Sequence, residues 1–344
     1  MSKALPHFHR RLRELCLIAA LATVSACAGG YRLAPSTSAL SNSSAAVNWL
    51  VPSAADDGRV LARWRAGVGQ PLVASSSRTT ASGDVDGLTI VSWNVALGAG
   101  DVAELFNRVQ RERPTHAIVL LIQEAYRGGV EVPLTPLNAA FAARIAGTDG
   151  REIDDVAKAL DLWAYYVPSM RNGPPGISDQ DRGNAILSTI PLADLMAIEL
   201  PFERQRRVAV AATVHGTGAK GEPWALRVAS VHLDNMAGLS RGYVGGEYAR
   251  MRQARGLRDA FRGSDPLILA GDFNTWFGFR DGAYVETARA FPQTRVIDGR
   301  RTFMGLLRLD HVFYRLPEGW RAEVHRAESA LGSDHHALIT TITF

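Results

Sequence analysis

Cysteine, lysine and long apolar runs are scarce in this chain of 344 residues. It has two cysteines, Cys16 and Cys27, too few for the disulfide framework that staples small secreted scaffolds. Lysine supplies only Lys3, Lys158 and Lys220 among 38 basic residues, so the basic character rests on arginine. Against 34 acidic residues the formal charge is +4, which gives no bulk electrostatic case for a nucleic-acid partner. No apolar run reaches the roughly 20 residues that a spanning helix needs. What is present is ordinary: 47% hydrophobic and 21% charged residues exclude a disordered or collagen-like chain.

The N-terminus carries a targeting pattern. Lys3, Arg10, Arg11 and Arg13 precede the apolar stretch Leu15–Ala26, and small residues follow. That is the order of a secretory signal. Val24-Ser25-Ala26-Cys27 resembles a bacterial lipobox, so residues 1–26 are expected to be a lipoprotein signal peptide. Cys27 is then the acylated first residue of the mature chain, which has no other thiol. Losing four basic residues and Glu14 lowers the formal charge to +1. The expected location is extracytoplasmic, and Ala28 after the cysteine favours the outer membrane.

Residues 27–86 are rich in Ser, Ala, Gly and Pro, as in APSTSALSNSSAAV, and read as a linker. From 87 to 344 apolar strand runs alternate with helical spacing. LTIVSWNV, AIVLLIQE, WAYYVP, GNAILS, RVAVAATV, ALRVASVHL, PLILAGDFN, LDHVFYR and HALITTITF read as strands. Asp101 with Glu104 opens a helix carrying Val102, Leu105, Phe106 and Val109 on one face. Ile153, Val156, Ala157 and Leu160 mark another, and an arginine-rich helix is expected between Gly246 and Phe261. Continuous apolar strands imply burial on both faces, and short connections imply antiparallel neighbours. The expected fold is α+β: a four-layer α/β/β/α sandwich of two stacked mixed sheets flanked by helices.

Polar residues recur at the downstream ends of these runs: Asn94, Glu124, His232, Asp272 and Asn274. Strand ends are where a rigid scaffold presents groups to a cleft. Each has a bland alternative, a turn, a cap or a satisfied core histidine, and only the recurrence argues for a site. Asp272 and Asn274 are two apart, so on a strand they would share a face. One offers an acceptor for a water, the other a donor for an oxyanion. Asp310 in LDH is able to orient an imidazole of SDHH (Ser333–His336). Adjacent side chains on a strand face opposite sides, so only one of His335 and His336 can join Asp310.

Taken in order, WN at Trp93-Asn94, QE at Gln123-Glu124, GNAILS at 183–188, SVHLDN around His232, GDFNT, LDH and SDHHAL resemble the endonuclease/exonuclease/phosphatase superfamily over about residues 88–344. The resemblance implies a Mg²⁺-dependent phosphodiester hydrolase, with Mn²⁺ as an alternative metal. It implies Glu124 as principal metal ligand, helped by Asn94 and Asp334. His335 would be the acid/base or phosphate-contacting imidazole, oriented by Asp310. Asp272 would align the attacking water, and Asn274 and His232 would stabilise the phosphoryl oxygens. The histidine of SVHLDN stands where abasic-site nucleases would carry tyrosine and aspartate, and it resembles the deoxyribonuclease and sphingomyelinase branches. Arg206 and Arg207, at the start of a strand, are candidates to touch substrate phosphate. Nucleic acid is the favoured substrate of a monomer held to the membrane through Cys27. A sphingomyelinase-like or inositol-phosphate phosphoesterase ranks behind it, because no long aromatic membrane-dipping hairpin stands out. A non-enzymatic binding protein on the same fold ranks last, since the catalytic residue types are intact.

Overall fold

The computed structural model describes residues 30–33, 46–77, 85–134, 137–143, 150–218, 221–235, 237–264, 266–294 and 300–344. The signal segment 1–26 and Cys27 lie outside the described residues. In chain order the elements are β1 (Tyr31–Leu33), β2 (Asn48–Pro52), α1 (Ala55–Arg65), β3 (Leu72–Ala74), β4 (Leu88–Asn94), α2 (Val102–Glu112), β5 (Ala117–Gly128) and β6 (Phe141–Ala142). They continue with α3 (Ile153–Ala159), β7 (Trp163–Asn172), β8 (Gln180–Ser188), β9 (Leu192–Glu199), β10 (Val208–Thr217), β11 (Pro223–His232) and α4 (Ala237–Ala260). The last are β12 (Leu267–Asp272), a 3₁₀ turn (Gly278–Arg280), α5 (Gly282–Ala290), β13 (Asp310–Arg315), β14 (Arg321–Arg326) and β15 (Leu338–Thr343).

Two mixed sheets stack face to face. One runs β1-β2-β9-β10-β11-β12-β13; the other runs β14-β15-β4-β5-β8-β7-β3, with β6 beside β7. Parallel pairs β4–β5 and β11–β12 lie at the middle of their sheets, and most other neighbours are antiparallel. Strand alternation sends one set of side chains between the sheets, where Ile90, Val119, Leu121 and Ile186 meet Val210, Ala212, Val228 and Ile268. The alternate set faces outward beneath helices. Val91, Leu120 and Ile122 pack against Leu105, Phe106 and Val109 of α2. Ala229, Val231 and Leu269 pack against Ala254, Leu257 and Phe261. Both faces of each central strand are therefore apolar, which is why these segments read as unbroken hydrophobic runs. The Asp101 carboxylate caps α2 by accepting from the Glu104 N–H at 3.0 Å.

Two expectations are corrected by this architecture. Much of the segment read as a linker is folded into the sheets: β2 runs parallel to β9, and β3 pairs with β7. Val47, Trp49, Val51, Leu61 and Trp64 are buried there. Their short apolar bursts are diluted by Ser and Ala in any composition average. The segment is also clamped by polar bonds. The Gly69 N–H donates to the buried Asp181 carboxylate at 2.8 Å, and Arg127 and Tyr166 donate to the same group. The second correction is the arginine-rich helix, which starts at Ala237 rather than near Gly246.

Candidate active site

The C-terminal ends of β4, β5, β11 and β12 converge with the segments leading into β13 and β15. Parallel pairing sets the register: Asn94 sits opposite Gln123, and His232 opposite Asp272. β12 can approach β11 so closely only because residue 271 is glycine. A Cβ there would lie 1.9 Å from the Val231 carbonyl oxygen, and its φ is +153°. Beneath the site a polar seam joins the sheets. Gln123 Nε2 donates to Ser230 Oγ at 2.9 Å, and Ser230 Oγ donates to the Ile122 carbonyl. Asn184 Nδ2 donates to the Val208 carbonyl at 2.7 Å. The QE and GNA signatures thus contribute Gln123 and Asn184 to the frame of the site.

Asp272 is the hub. Its Oδ2 accepts from Asn94 Nδ2 at 3.0 Å and lies 3.4 Å from His232 Nε2; its Oδ1 accepts from the Asn274 N–H at 2.9 Å. β12 ends at Asp272, and Asn274 has a φ of +49°. These two residues meet through a tight turn, not through a shared strand face as their spacing suggested. Asn274 Nδ2 donates to the Leu233 carbonyl at 3.0 Å, which fixes the amide. Burial is the largest influence on Asp272 and raises its pKa to about 7; the Asp310 charge pushes the same way, and His335, Asn274 and Asn94 oppose.

His335 and Asp310 form a dyad, with Nδ1 2.8 Å from Asp310 Oδ2. A carboxylate only accepts, so Nδ1 carries the proton. The other ring nitrogen, Nε2, lies 3.8 Å from Asp272 and 3.9 Å from Asp334. Burial opposes the imidazolium, yet Asp310, Asp272 and the Asp310 hydrogen bond together hold the His335 pKa above its usual value. His336 turns away, as the alternation of adjacent side chains predicts, and its Nδ1 meets the Ala327 carbonyl at 3.0 Å. His232 is different again: burial, then Arg207 and His335, drive its pKa well down, so it is neutral. Burial likewise holds His311 neutral; it bonds to Thr275 Oγ1 at 2.7 Å on the far side of β13.

Residues without chemistry of their own set the dyad's position. Trp93 Nε1 donates to the His335 carbonyl at 2.9 Å. Ser333 Oγ donates to the Asn94 carbonyl and accepts from the His335 N–H. Thr302 Oγ1 accepts from the N–H groups of Leu309 and Asp310, and its carbonyl accepts from the His336 N–H. The Phe303 ring packs on the His335 ring, centroids 4.8 Å apart. Thr302 and Phe303 carried no signal in the sequence, where they look like ordinary loop residues.

Glu124 is presented by a defect in β5. The ladder to β8 shifts register between Gln123 and Ala125, and Glu124 takes a φ of +52°. That left-handed conformation is costly outside glycine and is held here by the surrounding strands. Among the described residues the Glu124 carboxylate makes no hydrogen bond. A carboxylate with no hydrogen bond among the described residues, close in the chain to the Asn94–Gln123 register pair, fits a hard cation such as Mg²⁺. The buried trio Asp272, Asp310 and His335 also has ligand atoms within 4.8 Å of one another. Its members are largely committed to each other and to Asn94 and Asn274, so Glu124 is the better anchor for a metal. Asp334 is exposed at the mouth of the site, and its carbonyl accepts from the Met304 N–H.

The two candidate arginines separate. Arg207 is buried at the site's edge, held by Gln205 and Asn235, and it feels the charges of Asp234, Glu124 and Asp272. Arg206 points the other way. Its Nε donates to Glu199 at 2.7 Å, and its Nη1 donates to the carbonyls of Pro168 and Ser169. Arg206 is fully enclosed, with its guanidinium 5.9 Å from the Trp49 ring, and cannot reach a substrate in the cleft. Neighbours on an extended segment face opposite ways, so only one of the pair could serve the site.

The chain belongs to the Endonuclease/Exonuclease/phosphatase family, which residues 91–335 match. Members of that family are typically hydrolases of phosphoester bonds and generally depend on a divalent metal. A UPF0294 protein of Vibrio parahaemolyticus is 36% identical over 83 residues, 23% of this chain and 28% of that protein. A UPF0294 protein of Vibrio cholerae is 41% identical over 87 residues, 24% of this chain and 28% of that protein. These matches span little more than a quarter of the Vibrio proteins. An endonuclease/exonuclease/phosphatase from Beutenbergia cavernae superposes with a TM-score of 0.54 at 18% identity, covering 75% of this chain and 72% of that one. That is a likeness of fold.

Proposed function

We propose that this protein is a Mg²⁺-dependent phosphodiester hydrolase. It acts as a monomer on the extracytoplasmic side of a membrane, in the outer membrane where there is one, anchored through acylated Cys27. The observation that carries the catalytic reading is the Asp310–His335 dyad facing Asp272 across 3.8 Å, with Asn94, His232 and Asn274 around the same carboxylate. Glu124, with Asn94 and Asp334, would hold the cation, which when bound supplies positive charge against the phosphoryl oxygens.

The chain's own groups divide the proton work. Asp272, with its pKa raised towards neutrality, is suited to take a proton from water as the water oxygen bonds to phosphorus. His335, held protonated by Asp310, is suited to give its Nε2 proton to the departing alkoxide as the other phosphorus–oxygen bond breaks. Neutral His232 and the pinned Asn274 amide border the space where charge builds on the non-bridging oxygens. Arg207 adds a fixed positive charge behind them. These parts act on the diester and leave the groups beyond it unread, so nucleic acid and phospholipid both fit the reacting centre.

The test is hydrolysis of bis(p-nitrophenyl) phosphate by the full chain with Mg²⁺, with Mn²⁺ and with EDTA. Activity should need the metal, and Glu124→Gln should lower it by orders of magnitude without altering the circular dichroism spectrum. Full activity in EDTA, or an unimpaired Glu124→Gln, would refute the metal assignment.

A further inference from the structure

Two short turns on one rim of the cleft leave apolar side chains in water. After GDFN the chain exposes Trp276 (40%) and Phe277 (47%), and a tight turn at 303–307 exposes Met304 (64%) and Leu306 (63%). The turns are joined: Thr275 Oγ1 donates to the Arg308 carbonyl at 2.9 Å, and the Arg308 guanidinium lies 4.5 Å from the Phe279 ring. They are also continuous with the site, since Met304 N–H bonds to Asp334 and Phe303 packs on His335. The 303–307 turn is closed by Phe303–Leu307 backbone bonds, with Gly305 at φ +67°. Its apolar tip is thus held outward by local backbone geometry. Exposed Arg280 and Arg301 flank the two turns.

We propose that this rim docks on the anionic surface of a phospholipid bilayer, so that the diester reaching Asp272 and His335 belongs to a lipid headgroup. The proposal rests on the phosphodiester-hydrolase reading and deepens it. Tryptophan and aliphatic tips beside arginines form the combination that partitions into the interface of an anionic membrane. A base-stacking platform needs free flat rings over a basic groove. Here Trp276 and Phe277 do present ring faces, but the most exposed tips are Met304 and Leu306, which have no π-face, and the Phe279 ring is already packed on Tyr284, His311 and Arg308.

Trp276 reports on the contact, because the other tryptophans are buried or half-buried. The full chain would be mixed with phosphatidylcholine–phosphatidylglycerol vesicles carrying brominated acyl chains, and compared with Trp276→Phe. Quenching of an emission component that the variant lacks is expected. Leu306→Asp should lower hydrolysis of vesicle phospholipid about tenfold, by weakening the apolar contact. It should leave bis(p-nitrophenyl) phosphate turnover within about twofold. Quenching of Trp276 by a single-stranded oligonucleotide but not by brominated lipid would overturn the proposal, as would quenching by neither. A wild type that hydrolyses no diester at all would refute the functional reading, while the quenching result would still decide the role of the rim.

Discussion

Arg206→Met separates a guanidinium that holds the fold from one that meets substrate. In the wild type Arg206 is fully buried, and its Nε faces a Glu199 carboxylate that is equally enclosed. Its Nη1 serves the carbonyls of Pro168 and Ser169. Those carbonyls lie where β7 shifts register against β8, between Pro168 and Met170. Methionine fills similar volume but leaves both carbonyls without this donor, and among the described residues leaves Glu199 with only the partly exposed Arg65 at 2.6 Å. Breaking a buried pair from one side costs about 3–5 kcal/mol. At about 2–4 °C per kcal/mol for a domain of this size, the melting temperature should fall by roughly 10 °C. The loss should depend on pH. Burial alone would raise the Glu199 pKa, but Arg206 and Arg65 outweigh it and hold the carboxyl below its usual value. A depressed acid contributes stability above its unfolded pKa and loses that contribution as pH falls through the folded value. The gap between wild type and variant should therefore be widest near neutrality and narrow below about pH 4.5. Thermal melting across pH, with steady-state kinetics on bis(p-nitrophenyl) phosphate, measures both sides. An unchanged melting temperature with a raised KM would refute the structural role and return Arg206 to the substrate.

His335→Ala and Asp310→Asn should each lower kcat by on the order of 10²–10⁴-fold, and the double variant should lose little more, because the residues act as one unit. His336→Ala should leave turnover within a few-fold and lower the melting temperature, since its ring bonds only to the Ala327 carbonyl among the described residues. A dead His336→Ala beside an active His335→Ala would reverse the dyad assignment. With Mg²⁺ the pH profile of kcat/KM should rise as Asp272 ionises, on a limb that burial displaces above the usual carboxylate range, and fall at higher pH as His335 loses its proton. In Asp310→Asn the alkaline limb should move down, because burial then acts on the imidazole with less opposing charge; an unmoved limb would count against the pairing. Gly271→Ala should fail to fold, given a Cβ 1.9 Å from the Val231 oxygen, whereas Gly305→Ala meets no atom within 4 Å and should cost only the strain of its positive φ. Solubility and circular dichroism of the two variants check this.

By itself the order of apolar runs determined the sandwich. Strands buried on both faces must be hydrophobic at successive positions, and that pattern survives in a linear reading. The same order marked Asn94, Glu124, His232 and Asp272, which close apolar runs, and Asp310 and His335, which precede them, because polar residues at the edges of such runs stand out locally. It also separated His335 from His336, since alternation along an extended chain is a local property. Tertiary structure decided what depends on residues far apart in sequence. The part of 27–86 that folds is held by β9, β7 and Asp181, partners at least 90 residues away, so its own composition could not reveal it. Asp272 and Asn274 meet through a turn because β12 stops at Asp272, and a spacing of two cannot tell a strand from a strand end. Arg206 and Arg207 are chemically identical side by side, and only the position of Glu199 and the Pro168 carbonyl assigns one to the frame and leaves the other near the site. The apolar rim is likewise invisible as a motif. Trp276 and Leu306 lie in separate turns, and a bond from Thr275 to Arg308 makes them one surface.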